Sequence, residues 1–471
     1  MVRGKAHITS KAWLNNPCLE YWRISSHLDV TAMLQKSFSA LKSSALLNSQ
    51  TLFCSKLHSQ KSSLISRRFS TTRLTMSKYQ VKWGILATGG IAETFTRDLL
   101  VDPETRGVKD IQHTVVAAAS SSSSSRAQEF LKTVGAPSSA KAYGSYKELV
   151  ADKDIDVIYI ATPHSHHFQN AMLCLEAGKN VLCEKAFTTN AAQAKKLAEK
   201  AKEKNLFLME AVWTRYFPLS IYVRDTITSG RIGTVYRAQA DNSIGSPPES
   251  FDDSHRMVNM DLAGGALLDL GIYSLTWIFQ TLYHTQPENE HKPPKVMGAI
   301  QKYKTGADEL TSALLVFPRS EKLGGDAHGY ATTSFRTSSD PDGKGSVGPA
   351  IRVQGDKGEV QVWFPPFRPT KTRIVLKDGT VEDKDWPQPG PGKGSGFKNG
   401  FGGQWNAEGE GHGMFWEADE AGHALKEGRK EGKYEGLHES IVIMEVMDEI
   451  RKQNDMTYPE HIESTKYPID V

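Results

Sequence analysis

Gly84-Ile85-Leu86-Ala87-Thr88-Gly89-Gly90-Ile91-Ala92 stands between an apolar run at 81 to 87 and an amphipathic one at 91 to 101. Read as strand, turn and helix, it is a degenerate G-x-G-x-x-A in which Ala87 holds the place of the first glycine. Gly89 lets the backbone approach a pyrophosphate at the helix N-terminus, and Ala92 permits close helix packing. Gly89, Gly90, Ile91 and Ala92 are therefore candidate dinucleotide contacts. Outward from this turn, strands at 81 to 87, 113 to 119, 155 to 161, 179 to 183 and 206 to 210 alternate with helices at 91 to 101, 126 to 133, 166 to 177 and 190 to 204. That alternation predicts a doubly wound parallel sheet of Rossmann type over 76 to 210, with ligands outside the carboxyl ends of its strands.

The residues at those ends carry the chemistry. The strand at 113 to 119 runs into six serines, Ser120 to Ser125, and then Arg126. A site built for NAD places an acid there to hold the ribose 2′-hydroxyl; none is present, and Ser120, Ser121 and Arg126 suit a 2′-phosphate. NADP is the cofactor predicted. The strand at 155 to 161 ends in Thr162-Pro163-His164-Ser165-His166-His167. Three histidines in four residues invite a metal reading, but no carboxylate or cysteine is spaced to complete a site. Thr162, Pro163 and His167 are read as cofactor or backbone contacts, and no metal is expected. The strand at 179 to 183 delivers Glu184 and Lys185 to the same edge, a pair that in isolation is an ordinary surface ion pair.

After Trp213-Thr214-Arg215-Tyr216-Phe217-Pro218 the alternation stops. Strand-like runs at 234 to 242, 296 to 303, 310 to 317, 329 to 337, 350 to 354, 359 to 363 and 372 to 376 predict an α+β domain over 211 to 471, with a large, mostly antiparallel, open-faced sheet. Within it lies Gly264-Gly265-Ala266-Leu267-Leu268-Asp269-Leu270-Gly271-Ile272-Tyr273, where Asp269 and Tyr273 share one face of an α-helix. Ten glycines between Gly390 and Gly413 lack phosphate-loop spacing and read as an insertion loop over the cleft. Helices follow at 414 to 428 and 437 to 453.

Bulk properties bound the alternatives. At 471 residues the chain needs two domains and an appendage. With 39% apolar and 24% charged residues it has the composition of a soluble globular protein, and no uninterrupted apolar run nears the roughly 20 residues of a membrane helix. Residues 1 to 75 hold eleven Lys/Arg against Glu20 and Asp29, an excess of +9; the total of +3 less that +9 leaves −6 for the remainder. A mildly acidic body argues against a nucleic-acid partner. Cys18, Cys54, Cys174 and Cys183 show no zinc spacing and point to a reducing compartment. From Met33 to Thr75 there is no acid and much Ser, Lys and Arg, the composition of a mitochondrial presequence. Alternatively Met76 is the start, since MSKYQVKWGIL runs directly into the first strand. The first reading places the protein in the mitochondrial matrix, the second in the cytoplasm, and either way 1 to 75 stays outside the fold.

The order of motifs, namely the degenerate glycine turn, Thr-Pro, Glu-Lys, Trp-x-Arg and Gly-Gly-Ala-Leu-Leu-Asp-x-Gly-x-Tyr, resembles the glucose-fructose oxidoreductase / inositol dehydrogenase (Gfo/Idh/MocA) family over residues 80 to 471. It looks closest to the branch of dimeric dihydrodiol dehydrogenases and fungal NADP-dependent D-xylose 1-dehydrogenases. By that resemblance Lys185 matches the lysine of the family's Glu-Lys-Pro motif, with Ala186 in place of the proline, and Asp269 and Tyr273 match its catalytic helix. The resemblance implies NADP-dependent oxidation of an aldose at C1, D-xylose to its lactone. Tyr273 would be the base and Lys185 the charge that lowers its pKa and holds the substrate oxygen. Asp269 would orient the lysine or a substrate hydroxyl, and Trp213 and Arg215 would flank nicotinamide or substrate. A trans-dihydrobenzenediol dehydrogenase is the alternative enzyme. A non-catalytic dinucleotide-binding regulator of a sugar pathway is the alternative of another class. A homodimer through the open sheet follows from the need to cover its exposed face.

Overall fold

In the computed structural model, residues 77–400 and 407–469 are described. The leader expected over 1 to 75 lies outside them. The first sheet has six strands, β1 (Tyr79–Leu86), β2 (Ile111–Ala119), β3 (Lys141–Tyr143), β4 (Val157–Ile160), β5 (Asn180–Glu184) and β6 (Leu208–Ala211), all parallel in the order β3-β2-β1-β4-β5-β6. This is the doubly wound order, whose direction reverses beside β1 and β4 and leaves a crevice at their carboxyl ends. Five helices make the crossovers: α1 (Gly90–Leu99), α2 (Ser124–Thr133), α3 (Tyr146–Ala151), α4 (His164–Glu176) and α5 (Ala191–Lys204). Strands β4 and β6 are buried along their whole length, as parallel strands covered on both faces must be.

Two elements here were not expected from the sequence. β3 is a three-residue edge strand, too short for any alternation, and α3 is a six-residue helix started by the Ser145 hydroxyl, which accepts the Glu148 N–H.

After α6 (Pro218–Thr228), the second sheet has eight strands: β7 (Val235–Ser243), β8 (Lys295–Lys302), β9 (Asp308–Phe317), β10 (Ala327–Ser334), β11 (Ile351–Gly355), β12 (Gly358–Val362), β13 (Lys371–Leu376) and β14 (Val381–Asp385). Its order is β14-β13-β12-β11-β7-β10-β9-β8, antiparallel throughout except between β7 and β10. β14 escaped the sequence reading because all five of its residues are exposed, so it has no apolar face to alternate.

One face of this sheet is packed by α7 (Ile272–Leu282), every residue of which is buried, and by α9 (Leu437–Gln453). The stretch Met260–Leu282, interrupted by Asp261 and Asp269, is long and apolar enough by hydropathy to cross a bilayer; 94% of its 18-residue apolar portion is buried in the fold, as expected of a core helix. Between α8 (Phe415–Glu427) and the first sheet, Asp419 takes a two-pronged ion pair from Arg106, at 2.6 and 2.8 Å, and bonds the His113 ring at 3.0 Å. Burial pushes the Asp419 carboxyl up, but Arg106 and His113 hold it below the usual range. This charge cluster fastens α8 across the N-terminal parts of β1 and β2, where Gly422 packs within reach of Val81, Ile111 and His113.

Candidate active site

The turn between β1 and α1 is open. Gly89 is extended and Gly90 starts α1 without a side-chain cap, and a Cβ added at either would meet nothing within 4 Å. Uncapped amides at a helix N-terminus, beside free space at the crevice of a doubly wound sheet, fit a pyrophosphate. Ala87 takes the left-handed conformation, φ +83°, so the turn keeps the geometry of the missing first glycine although the side chain differs. Ile91 is half-buried at this turn and Ala92 is fully buried against the sheet.

At the end of β2, Ser120 is buried and its hydroxyl lies 3.0 Å from that of Ser122, while Ser121 and Arg126 are exposed. The Ser123 hydroxyl accepts the Arg126 N–H and caps α2, and the Arg126 side chain is exposed.

Glu184 and Lys185 end β5. Glu184 is buried; it accepts the Tyr159 hydroxyl on one oxygen and the Lys185 N–H on the other at 3.2 Å. Burial pushes its carboxyl up to about 7, against the opposing pull of the Lys185 charge. Lys185 Nζ donates to Asp269 twice, to Oδ1 and to the backbone oxygen, both at 2.9 Å. It also stands 5.2 Å from the centre of the Tyr273 ring. The lysine is thus no surface ion pair: its side chain is 12% exposed and that of Asp269 9%. Asp269 also takes Arg256 Nη1 at 3.1 Å. Burial would raise the Asp269 carboxyl, but Arg256 and Lys185 together hold it well below the usual carboxylate range, so it is ionised.

Asp269 and Tyr273 were expected one α-helical turn apart. Leu267–Gly271 is instead a π-helical turn running into α7, a local widening often found at functional sites. Tyr273 is 6% exposed, and its hydroxyl oxygen accepts the Trp213 indole N–H at 2.6 Å. Two expectations change here. Burial, joined by the nearby Glu184 charge, pushes the phenol well above its ordinary value, so Lys185 does not depress it on balance. The group that bonds the phenol oxygen is Trp213.

Arg215 does not flank the cleft. Its guanidinium is wholly buried, ion-paired with Glu439 of α9 and bonded to the Tyr434 carbonyl at 2.9 Å. A cation at the end of Trp-x-Arg reads the same in sequence whether it turns toward the crevice or into the layer behind it.

His167 is likewise enclosed. Its two ring nitrogens face the Thr162 and Ala186 carbonyls, each at 2.9 Å, and burial lowers the ring to about 4. It braces the backbone at Thr162 and Pro163, both half-buried, against the turn after Lys185, whose peptide to Ala186 is cis. His164 donates from Nδ1 to the Ala263 carbonyl at 3.2 Å, and burial lowers the ring to about 3. Among the described residues no group of three or more His, Cys, Asp or Glu is placed to hold a metal ion.

Three residues at the site had no signal of their own in the sequence. Arg256 comes from a loop without periodicity. Phe367 sits 5.8 Å from the Tyr273 ring and 6.2 Å from that of Trp213. His412, from the glycine-dense segment, stacks on Trp213 at 4.7 Å and 24°.

Residues 81–212 match the oxidoreductase family with an NAD-binding Rossmann fold, and 221–361 match the Gfo/Idh/MocA C-terminal domain. The chain is 55% identical over 395 residues to the D-xylose 1-dehydrogenase (NADP(+)) of Hypocrea jecorina, covering 83% of this chain and 96% of that one. The chain belongs to the Gfo/Idh/MocA oxidoreductase family. Another member, the human trans-1,2-dihydrobenzene-1,2-diol dehydrogenase, is 34% identical over 383 residues, 81% of this chain and 98% of that enzyme. Among solved structures, the aldose-aldose oxidoreductase of Caulobacter crescentus superposes with a TM-score of 0.59 at 20% identity, over 81% of this chain and all of that one. An NAD-binding oxidoreductase from Klebsiella pneumoniae does so at 0.61 and 19%, over 79% and 96%. At such identities the structural likeness speaks for the fold alone. Within this family the Asp269–Lys185–Tyr273 cluster stands at the strand ends where the fold binds its ligands.

Proposed function

We propose that the protein oxidises D-xylose at C1 to the lactone with NADP+ as the acceptor. The observation that carries this reading is the meeting of Lys185, from the carboxyl end of β5, with Asp269 and Tyr273. The 55% identity to an enzyme of that name over most of both chains supports it. When bound, NADP+ supplies a nicotinamide that accepts hydride from the carbinol carbon.

The chain's own residues do the rest. An ammonium has three N–H donors. Two of those of Lys185 go to Asp269, which leaves the third for the oxygen at C1. Tyr273 takes the hydroxyl proton as hydride leaves. Because burial holds its phenol protonated, the phenolate needs a donor at its oxygen, and the Trp213 N–H supplies one. The uncapped amides of α1 with Gly89 and Gly90 hold the pyrophosphate, and Arg126 with the serines after β2 meets the 2′-phosphate.

A panel of D-xylose, other aldoses and trans-dihydrobenzenediol, each with NADP+ and followed at 340 nm, tests this. Xylose should give the highest kcat/KM; a higher value on the diol would shift the assignment to the diol enzyme, and tight NADP binding without turnover on any substrate would make the protein a sensor. Arg126→Glu should raise KM for NADP+ by about tenfold or more and leave that for NAD+ within about twofold, since an opposed charge near a dianion costs at least a kcal/mol or so. Equal effects on both cofactors would remove Arg126 from the phosphate site.

The proposed assembly is a homodimer through the face of the second sheet opposite α7 and α9. There Met297 of β8 and Tyr330 of β10 both pair with Leu314 of β9, so that an apolar row crosses three strands, with Met297 51% and Tyr330 37% exposed. Sedimentation of wild type should give a dimer and that of Leu314→Lys a monomer; a monomeric wild type rejects the interface.

A further inference from the structure

A buried carboxylate draws the described end of the glycine-dense segment to the site. Asp98 of α1 is wholly buried. Its Oδ1 accepts the His412 N–H at 2.9 Å and Asn399 Nδ2 at 2.6 Å; its Oδ2 accepts the N–H groups of Gly413 at 2.7 Å and Met414 at 2.8 Å. Three consecutive amides just ahead of α8 thus converge on one acid, as the free N–H groups of a helix N-terminus favour. The chain is shaped for this approach. Gly413 has φ +109°, and a Cβ there would stand 2.6 Å from the Phe217 ring. On the other side Arg368, 2% exposed, donates from Nε to the His412 carbonyl at 2.9 Å and from Nη2 to that of Gly411 at 3.1 Å. His412 is therefore held at both its N–H and its C=O, and its ring lies flat on Trp213.

An indole has one donor, so its N–H reaches Tyr273 only if the ring plane is held. We infer that His412 is a positioning residue: fixed by Asp98 and Arg368, it holds the plane of Trp213 so that the indole N–H stays on the Tyr273 oxygen. Since Asp98 belongs to the helix whose first turn is the candidate phosphate turn, the same contact ties that helix to the base. The role rests on the reading of Tyr273 as the base. Burial lowers the His412 ring to about 3, so it is neutral at working pH and acts through its shape. The charges and titrating groups around Tyr273 come from elsewhere: Glu184 and Lys185 at the end of β5, Tyr159 of β4, Arg256, Asp269 of the π turn and Glu417 of α8. None is altered by a change at 412.

The test is the pH dependence of kcat for xylose oxidation in wild type, His412→Ala, His412→Phe and Trp213→Phe. His412→Ala and Trp213→Phe should each move the alkaline rise of kcat upward by about one pH unit, which is about a tenfold loss at neutral pH, with KM for NADP+ within about twofold. His412→Phe keeps a flat ring and should recover kcat to within about threefold of wild type. His412→Leu, of similar volume but not planar, gives the same readout as the alanine variant should that one fail to fold. A wild-type pH profile in His412→Ala or His412→Leu, or a phenylalanine variant no better than they are, overturns the role of His412 while leaving Tyr273 as the base. Normal turnover by Tyr273→Phe overturns both.

Discussion

Tyr273→Phe is expected to lower kcat for xylose oxidation by about 10²- to 10⁴-fold, the contribution of a well-placed proton acceptor, with KM for NADP+ unchanged. The substitution removes one oxygen from a site that is 6% exposed and keeps the ring against Phe367, so the fold should persist. The same side chain sets the pH dependence. Burial holds the phenol protonated well above its ordinary value, so the fraction able to accept a proton grows as pH rises, and wild-type oxidation should climb through the alkaline range. In the reductive direction the protonated phenol is the form required, and because it predominates until the raised value is reached, activity should stay level over the same range. The phenylalanine variant should lose the alkaline rise in oxidation. Steady-state rates between pH 6 and 10 in both directions check this; an alkaline rise that survives in Tyr273→Phe would assign it to another group.

Lys185→Met is expected to cost about 10²- to 10³-fold in kcat/KM, the scale of removing a charged donor from a developing oxyanion. Methionine keeps the length and apolar stem, so what is lost is the ammonium. Its loss also leaves Asp269 with Arg256 alone, at 3.1 Å, inside a buried site. The Asp269 carboxyl should then rise, because one of the two cations that hold it down is gone. Kinetics on D-xylose, with NADP+ affinity measured separately by fluorescence titration, divide the outcomes. A drop confined to NADP+ affinity would make Lys185 a cofactor ligand only, and undiminished kcat/KM would falsify its role altogether.

How legible these parts were depends on whether they are local. The β1–α1 turn, the strands β4 to β6 and the helices α4, α5 and α9 were read within a few residues of their observed bounds, because each carries its own periodicity. β3 and β14 were not: one has three residues, and the other exposes all five. Lys185 looked like a surface pair in isolation, and only the order of motifs made it a site residue. The π turn at Leu267–Gly271 has no compositional mark, so the Asp269–Tyr273 spacing could be read only as α-helical.

By itself the sequence determined the doubly wound sheet, the open glycine turn, the absence of an acid after β2 and the delivery of Lys185 to a strand end. Those features follow from neighbours in the chain, whose spacing dictates which face is buried and where a strand stops. Only the tertiary structure decided that Arg215 turns into the core to meet Glu439, that Trp213 bonds Tyr273 from 60 residues away, and that Asp98 draws in the backbone of Met414 across 316. Such pairings join groups whose desolvation must be compensated by partners from distant parts of the chain. Which partner is within reach is set by how the second sheet and α8 pack against the first.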